Sequence, residues 1–245
     1  MLVKQKIKYI QTLGQKKFRE KEGLFIAEGP KLVKELLEAD AIAVKEVYAL
    51  NEWVYNNPLL PANIILTEIS EQELEKISQL TTPNQVVAIV QQFDTGNIIT
   101  AKDQITLALD TVQDPGNLGT IVRIADWFGI KQIVCSLDSA DMYNTKVVQS
   151  TMGSIARVKI IYTDLNEWLG TQENIPIYAA SLQGENIASI KKINEGIIII
   201  GNESRGISEE IMKLATIRIT IPAKGKAESL NAAVATGIIL SHILA

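Results

Sequence analysis

The sequence predicts an α/β fold: a mostly parallel sheet with helices on both faces, preceded by a smaller α/β domain. Three observations carry this expectation. The run 197–206, IIIIGNESRG, sets four consecutive isoleucines before a glycine and a polar turn, the pattern of a strand buried on both faces that ends at a ligand-bearing loop. Two further stretches, 107–128 (LALDTVQDPGNLGTIVRIADWF) and 219–239 (ITIPAKGKAESLNAAVATGII), repeat its order of apolar strand, Gly/Pro/Asn-containing loop and helix-compatible run. From residue 105 onward, strand-like and helix-like segments alternate, which implies parallel pairing.

Composition narrows the class. The 245 residues, 47% of them hydrophobic, suffice for one large domain or two small ones. No uncharged apolar run is long enough to span a bilayer, and the N-terminus lacks the apolar core of a secretion signal, so a cytoplasmic protein without a membrane partner is expected. A single cysteine, Cys135, and a single histidine, His242, exclude a disulfide framework and a Cys/His zinc site, and remove the usual nucleophile–base pairings. Both sit in apolar surroundings and read as core or helix-surface residues. The net charge of −4 is unevenly placed: residues 1–21 hold Lys4, Lys6, Lys8, Lys16, Lys17, Arg19 and Lys21 against Glu20 alone. A basic N-terminal face suits a phosphate-bearing partner, and it equally suits a solvated helix surface.

Taken in order, residues 5–17 read as a helix with Ile7, Ile10 and Leu13 inward, and 28–39 as a second with Leu32, Val33, Leu36 and Leu37 on one face. The turn Glu22–Gly23 separates them. Strand-like runs come next at 44–49, 64–67 and 85–90, with a helix at 70–79 that opens on a Ser-x-x-Glu capping signature. The polar, turn-rich stretch 93–103 is the linker candidate and divides the chain near residue 97 into domains 1–97 and 98–245. Beyond it come strand 105–110, helix 117–128, strand 131–136, helix 144–151, strand 157–162, helix 164–170, strands 175–180 and 196–201, helix 208–214, strand 217–221 and helix 229–244. The last helix carries no Asp, Glu, Lys or Arg from Leu230 onward, so nearly its whole circumference asks for cover, part of it from a second subunit.

Familiar signatures are missing: there is no G-x-G-x-x-G after a strand, no G-x-x-x-x-G-K-[ST], no G-x-S-x-G and no H-E-x-x-H. This disfavours a dinucleotide dehydrogenase and a P-loop NTPase. The three loops offer instead Asp114, Asn117 and Arg123; then Asn202, Glu203, Ser204 and Arg205; then Lys224, Lys226, Glu228, Ser229 and Asn231. Such hydrogen-bonding groups suit a polar cofactor and a phosphate-bearing substrate better than covalent catalysis. Each also has a structural reading. Asn117 fits the N-cap of the helix after it, Ser229 that of the last helix, and Ser208 with Glu210 the start of the helix after Gly206. Arg123, flanked by apolar residues, is costly unless paired or used, so a structural salt bridge stands beside a functional role. Asn202 and Glu203 are either turn residues or functional ones.

Together, 110–129 (DTVQDPGNLGTIVRIADWFG), 200–208 (IGNESRGIS) and 221–237 (IPAKGKAESLNAAVATG) resemble, in order and spacing, the three motifs of the SpoU (TrmH-like) RNA 2′-O-ribose methyltransferases of the SPOUT superfamily. The likeness covers residues 105–245. Residues 16–38 also resemble the start of the ribosomal-protein-like substrate-binding domain that precedes the catalytic domain in many members. The resemblance implies S-adenosylmethionine as methyl donor, transfer to a ribose 2′-hydroxyl of structured RNA, a homodimer, no metal, and a C-terminal trefoil knot, which general topology would argue against. By position it implies a cofactor pocket lined by Ser181, Leu182, Gly201, Asn202, Glu203, Gly206, Ile221, Leu230 and Asn231. Backbone groups of Ile221 and Leu230 would hold the adenine edge, and Gly201 would let backbone approach the ligand closely. The implied catalytic group is Asn117, Arg123, Glu203, Ser229 and Asn231.

Arg123 is the family's proposed base, yet a guanidinium stays protonated. The expectation is therefore that Arg123 grips the phosphate beside the target ribose and stabilises the emerging alkoxide, while that phosphate or Glu203 takes the proton. Two mild departures from the family pattern are Ala223 after Ile-Pro and Ala232–Ala233 after Ser-Leu-Asn. Ribosomal RNA is expected over transfer RNA, because the extra domain is N-terminal and the chain ends almost directly after the last motif. The alternatives are a tRNA ribose methyltransferase, a base methyltransferase of the same superfamily, and a non-catalytic RNA-binding assembly factor.

Overall fold

The computed structural model describes residues 1–39, 44–58, 60–61, 63–96 and 100–244. They form two compact units, Met1–Asp94 with Tyr143–Ala156, and Thr95–Met142 with Arg157–Ala245. The boundary expected near residue 97 lies outside the described residues.

The first unit opens with two helices, α1 (Lys4–Thr12) and α2 (Lys16–Glu22), where a single helix over 5–17 was expected. The break has a local cause. The N–H groups of Leu13, Gly14 and Gln15 each bond three residues back, to Ile10, Gln11 and Thr12, and this tight turn carries the chain off the helix. Arg19 then folds inward, buried, and its Nη1 donates to the Leu13 and Gly14 carbonyls at 3.1 and 2.8 Å, satisfying groups the end of α1 leaves open. Lys6 is likewise engaged, with Glu46 at 2.7 Å. The basic face therefore comes down to Lys4, Lys8, Lys16, Lys17 and Lys21, all exposed.

Gly23, at φ +65, ends α2 and feeds β1 (Leu24–Glu28), a strand the periodicity did not disclose. The helix expected from residue 28 begins as α3 (Pro30–Glu38), with proline at its first turn. After it come β2 (Val44–Ala49), an unexpected short helix α4 (Asn51–Asn56), β3 (Ile65–Glu68), α5 (Glu71–Ile77) and β4 (Val86–Gln91). Ser70 and Glu73 close the expected capping box on α5. The sheet runs β1-β4-β2-β3, with β4 antiparallel to both neighbours and β2 parallel to β3. Ile10, Leu13, Ile26, Tyr48, Leu74, Ile77, Val87 and Ile89 fill its main core.

The second unit is the expected parallel sheet. Its elements are β5 (Ile105–Leu109), α6 (Pro115–Trp127), β6 (Gln132–Ser136), β7 (Lys159–Thr163), α8 (Leu165–Gly170), β8 (Ile177–Asn186), β9 (Gly196–Ile200), α9 (Glu209–Lys213), β10 (Ile217–Thr220) and α10 (Ala232–Leu244). Strand order is β10-β8-β9-β5-β6-β7, and every pairing is parallel. The central strands β5 and β9 are buried at every residue, as the isoleucine run requires. Ala108, Ile197 and Ile199 face a cluster with Leu165, Trp168 and Leu169 of α8 and Ile211 of α9. The alternate residues Leu107, Leu109 and Ile198 are equally buried and point to the opposite face. Helices α6 and α10 pack on each other, Gly237 lying against Ile124. From β5 the chain winds one way to β6 and β7, while β8, β9 and β10 lie on its other side. The β5/β9 junction is thus the switch point at which open α/β sheets bind ligands.

The chain between β6 and β7 leaves this unit. Residues 143–156, including α7 (Thr145–Thr151), complete the first unit, where the Tyr143 ring lies 4.9 Å from that of Phe25 and its hydroxyl accepts the Phe93 N–H at 2.8 Å. Gln149 Nε2 donates to the Glu28 carbonyl at 2.8 Å.

Candidate active site

Because β5, β9 and β10 are parallel, the three loops named from sequence all leave the same edge of the sheet. Each loop is shaped by its own local chemistry.

The first loop enters α6 two residues earlier than expected. Pro115 occupies the first turn and Asp114 is the N-cap, its Oδ1 accepting the Asn117 N–H at 2.8 Å. Asn117 is therefore not the cap, and its side chain is available to the other loops. Asn231 likewise displaces Ser229 as the cap of α10: its Oδ1 accepts the Ala233 and Val234 N–H groups at 3.0 and 3.2 Å. That duty fixes the direction of the bonds beyond it. With Oδ1 committed to the helix, Asn231 presents Nδ2, which donates to Asn117 Oδ1 at 2.7 Å. Asn117 must then present its own Nδ2 in the other direction, and it donates to Glu203 Oε1. One run of hydrogen bonds thus ties all three loops. Oε2 of Glu203 has no hydrogen-bond partner among the described residues.

The second loop is a locked turn. Asn202 and Gly206 exchange backbone hydrogen bonds at 3.0 and 2.9 Å, while Asn202 Oδ1 accepts from the Ser204 and Arg205 N–H groups at 2.9 and 3.1 Å. Its Nδ2 donates to the Thr111 carbonyl at 2.8 Å, joining this turn to the first loop. Gly206 adopts φ +72. Gly201 also has a structural reason for lacking a side chain: a Cβ would lie 2.3 Å from Gly206 C and 2.4 Å from Ile207 N. Ser208 flanks α9 without a side-chain cap bond, and its N–H donates instead to Asp110 Oδ2 at 2.7 Å.

Asp110 was missed from sequence. Buried at the end of β5, it holds Ser208 with one oxygen and accepts from Thr111 Oγ1 at 3.1 Å with the other. Its signal was a carboxylate directly after a buried strand, the same that marked Glu203. Thr111, at φ +58, donates its N–H to Ser136 Oγ at 2.8 Å, and its single hydroxyl proton is shared between Asp110 Oδ1 and Asp138 Oδ2, each at 3.1 Å. The Ser136 hydroxyl, 2.6 Å away, is the main cause holding the Asp138 carboxyl below the usual carboxylate range, with Thr111 and the positive charge of Arg205 adding to it.

The other expected residues are spread more widely. Ser181 and Leu182 lie in the arch 180–184, where β8 steps away from β10: Arg218 pairs with Ala179 and Ile219 with Glu185. Leu182 is 76% exposed and Leu230, across the third loop, 45%, and Ile221 is half-buried where β10 gives way to that loop. Residues 222–230 are exposed throughout and form no hydrogen bond among the described residues. Ser229 is among them, so it stands outside the hydrogen-bonded run of Asn231, Asn117 and Glu203. Arg123 is not in that run either. It lies on the exposed side of α6, six residues or roughly 9 Å along the axis from Asn117, with no ion pair among the described residues. The salt bridge weighed for it does not form there. Cys135 is buried, which pushes its thiol up, and His242 is exposed on α10. Among the described residues no group of three or more His, Cys, Asp or Glu could hold a metal ion.

Fold and site together define a class: an α/β protein whose candidate site, at the strand carboxyl ends, gathers two amides and one carboxylate from three loops. Comparison with known proteins agrees. The SpoU rRNA Methylase family matches residues 104–241, and the MRM3-like substrate binding domain matches residues 4–88. The chain is 32% identical over 242 residues to the Bacillus subtilis 23S rRNA (guanosine(2553)-2′-O)-methyltransferase RlmP, covering 98% of this chain and 96% of that one. Among solved structures, an RNA methyltransferase of the TrmH family from Porphyromonas gingivalis superposes with a TM-score of 0.88 at 36% identity, over 99% of this chain and 98% of that one. An AdoMet-bound rRNA methyltransferase from Sinorhizobium meliloti superposes with a TM-score of 0.83 at 30% identity, over 99% and 95%. The chain belongs to the SpoU rRNA methylase family and is an RNA 2′-O-ribose methyltransferase.

Proposed function

We propose that this chain transfers a methyl group from S-adenosylmethionine to the 2′-hydroxyl of a nucleotide in ribosomal RNA, with Glu203 accepting the hydroxyl proton. The observation that carries this reading is the directed run Asn231–Asn117–Glu203, which holds one carboxylate oxygen in place and leaves the other open. The residues around it fit the donor. Exposed Leu182 and Leu230 offer apolar cover for an adenine, and the 222–230 loop offers backbone N–H and C=O groups not already committed. When bound, S-adenosylmethionine supplies an activated methyl group that needs no metal.

The chain's own residues supply position and proton handling. Asn117 orients Glu203, and Asn231 prevents Asn117 from rotating. Oε2 of Glu203 accepts the ribose hydroxyl, increasing its nucleophilicity as the proton moves toward the carboxylate. Arg123 grips a backbone phosphate beside the target ribose. The expectation that places Ser229 in the pocket stands as part of this proposal.

The finer features are proposals on the same footing. A homodimer is favoured by Trp127, 84% exposed on α6, with Val234 and Ile238, 50% and 39% exposed, on the adjoining α10. Arg123 stands one turn before Trp127 on that side of α6, which links assembly to substrate grip. A C-terminal knot accords with the arch 180–184 and with the close passage of β8 over β10, where a Cβ on Gly184 would lie 2.6 Å from the Arg218 carbonyl oxygen. The five exposed N-terminal lysines favour RNA as the ligand of the first unit. Ribosomal RNA is favoured over transfer RNA by the named activity of the Bacillus subtilis relative, and the reduced, buried Cys135 fits a cytoplasmic setting.

Calorimetric titration with S-adenosylmethionine tests the central step. Saturable binding to wild type, retained by Glu203→Gln with loss of methyl transfer, is expected; absence of binding would favour a non-catalytic assembly factor.

A further inference from the structure

We propose that Arg205 binds an RNA backbone phosphate beside the turn that carries Glu203, and so helps to choose which nucleotide reaches Glu203. This rests on the methyltransferase reading above and adds a substrate contact to it.

Arg205 differs from the other cations near the site in how it is held. Its backbone lies in the turn closed by Asn202 and Gly206, and its own N–H is bonded to Asn202 Oδ1 at 3.1 Å. That turn is fixed in turn by the Thr111 carbonyl and carries Glu203 two residues earlier. The backbone that carries the guanidinium therefore belongs to the same hydrogen-bonded segment as the proposed proton acceptor. Lys224 and Lys226, by contrast, sit in a loop with no internal hydrogen bond among the described residues.

The guanidinium is also unspent. Arg205 is exposed and its side chain makes no hydrogen bond or ion pair among the described residues. Asp138 is near enough to feel its charge, yet that carboxylate is already engaged by the Ser136 and Thr111 hydroxyls. A structural role for Arg205 would have used Asp138 directly.

Charge gives the position its value. The second unit holds 12 Lys and Arg against 15 Asp and Glu, so an RNA strand approaching Glu203 meets an acidic body. An arginine two residues from that carboxylate in the chain offsets part of the repulsion, and its planar fork matches two phosphate oxygens as a lysine cannot. Holding the phosphate next to the target also fixes the register of the strand.

The test uses full-length protein, tritiated S-adenosylmethionine, and ribosomal RNA from cells lacking this protein. Arg205→Ala should raise KM for RNA about tenfold and make the log–log dependence of RNA binding on salt shallower by about one, without changing the dissociation constant of S-adenosylhomocysteine. Arg205→Lys should restore the salt slope while leaving part of the KM defect. Should Arg205→Ala melt well below wild type, Arg205→Lys carries the test: a raised KM at a wild-type melting temperature supports the proposal. Unchanged KM and salt slope in both variants would overturn it while the enzyme remains a methyltransferase. A loss confined to S-adenosylhomocysteine binding would overturn it too, by assigning Arg205 to the cofactor. Wild type that transfers no label would remove the functional reading itself.

Discussion

Asn231 and Asn117, 114 positions apart in sequence, are joined by a hydrogen bond of 2.7 Å whose direction is set by a helix cap. Because the cap consumes Oδ1 of Asn231, only its Nδ2 can face Asn117, and the order passes to Glu203. Structure and chemistry at this point can be separated by substitution.

Asn231→Asp keeps the capping oxygen but replaces the donor with a second acceptor, which would oblige Asn117 to turn and release Glu203. Methyl transfer should fall on the order of 100-fold with little change in melting temperature. Asn231→Ala should lose both functions, with about 1 kcal/mol of stability gone as well. Denaturant melts beside turnover assays check the pair, and equal stability losses would show the contact to be only a cap.

Asp110 holds the first two loops together from a buried position. Asp110→Ala leaves the Ser208 N–H without its acceptor, while the Thr111 hydroxyl keeps Asp138, and should cost about 1–3 kcal/mol. Asp110→Asn retains one carbonyl oxygen, so it should recover most of the stability if Ser208 keeps that oxygen. Chemical denaturation of both variants decides this, since similar losses would mean that charge and not geometry is required.

How much of this was legible in advance depended on the range of the interaction. The parallel sheet and the three loops came from local signals: Ile197–Ile200 had to be buried on both faces, and each loop announced itself by glycine, proline or asparagine. The strand β1 did not, because LFIAE is short and sits between helix-compatible runs, and only pairing with β4 reveals it. The capping alternative for Asn117 fails because Asp114-Pro115 carries the stronger start signal. Arg19 looked like surface charge, and nothing nearby in sequence showed that the open carbonyls at the end of α1 would draw it inward. The placement of α7 in the first unit is a contact of Phe25 with Tyr143, beyond any periodicity.

Glu28 makes the first unit sensitive to pH. Burial raises its carboxyl above the ordinary 4.5, against the lowering effect of the Ser78 hydroxyl and Gln79 N–H. The unfolded chain therefore ionises at lower pH than the folded one, so the contribution is complete below about 4.5 and is lost as pH climbs through the raised value. Wild type should lose melting temperature relative to Glu28→Gln, which cannot ionise, as pH rises above the ordinary carboxylate range. Parallel curves for the two proteins would exclude Glu28 as the source.

If the α6–α10 surface is a twofold interface, Trp127→Asp should give a monomer in size-exclusion chromatography with light scattering, where wild type gives a dimer. An unchanged elution mass would place the interface elsewhere.

The most direct measurement traces the label. Ribosomal RNA from cells lacking this protein, treated with the enzyme and tritiated S-adenosylmethionine, is hydrolysed with alkali, which cuts RNA only where a free 2′-hydroxyl can attack the neighbouring phosphate. Label recovered in alkali-resistant dinucleotides, and lost with Glu203→Gln, is the result predicted. Label in mononucleotides would mean base methylation and would contradict the assignment of Glu203 to a ribose hydroxyl.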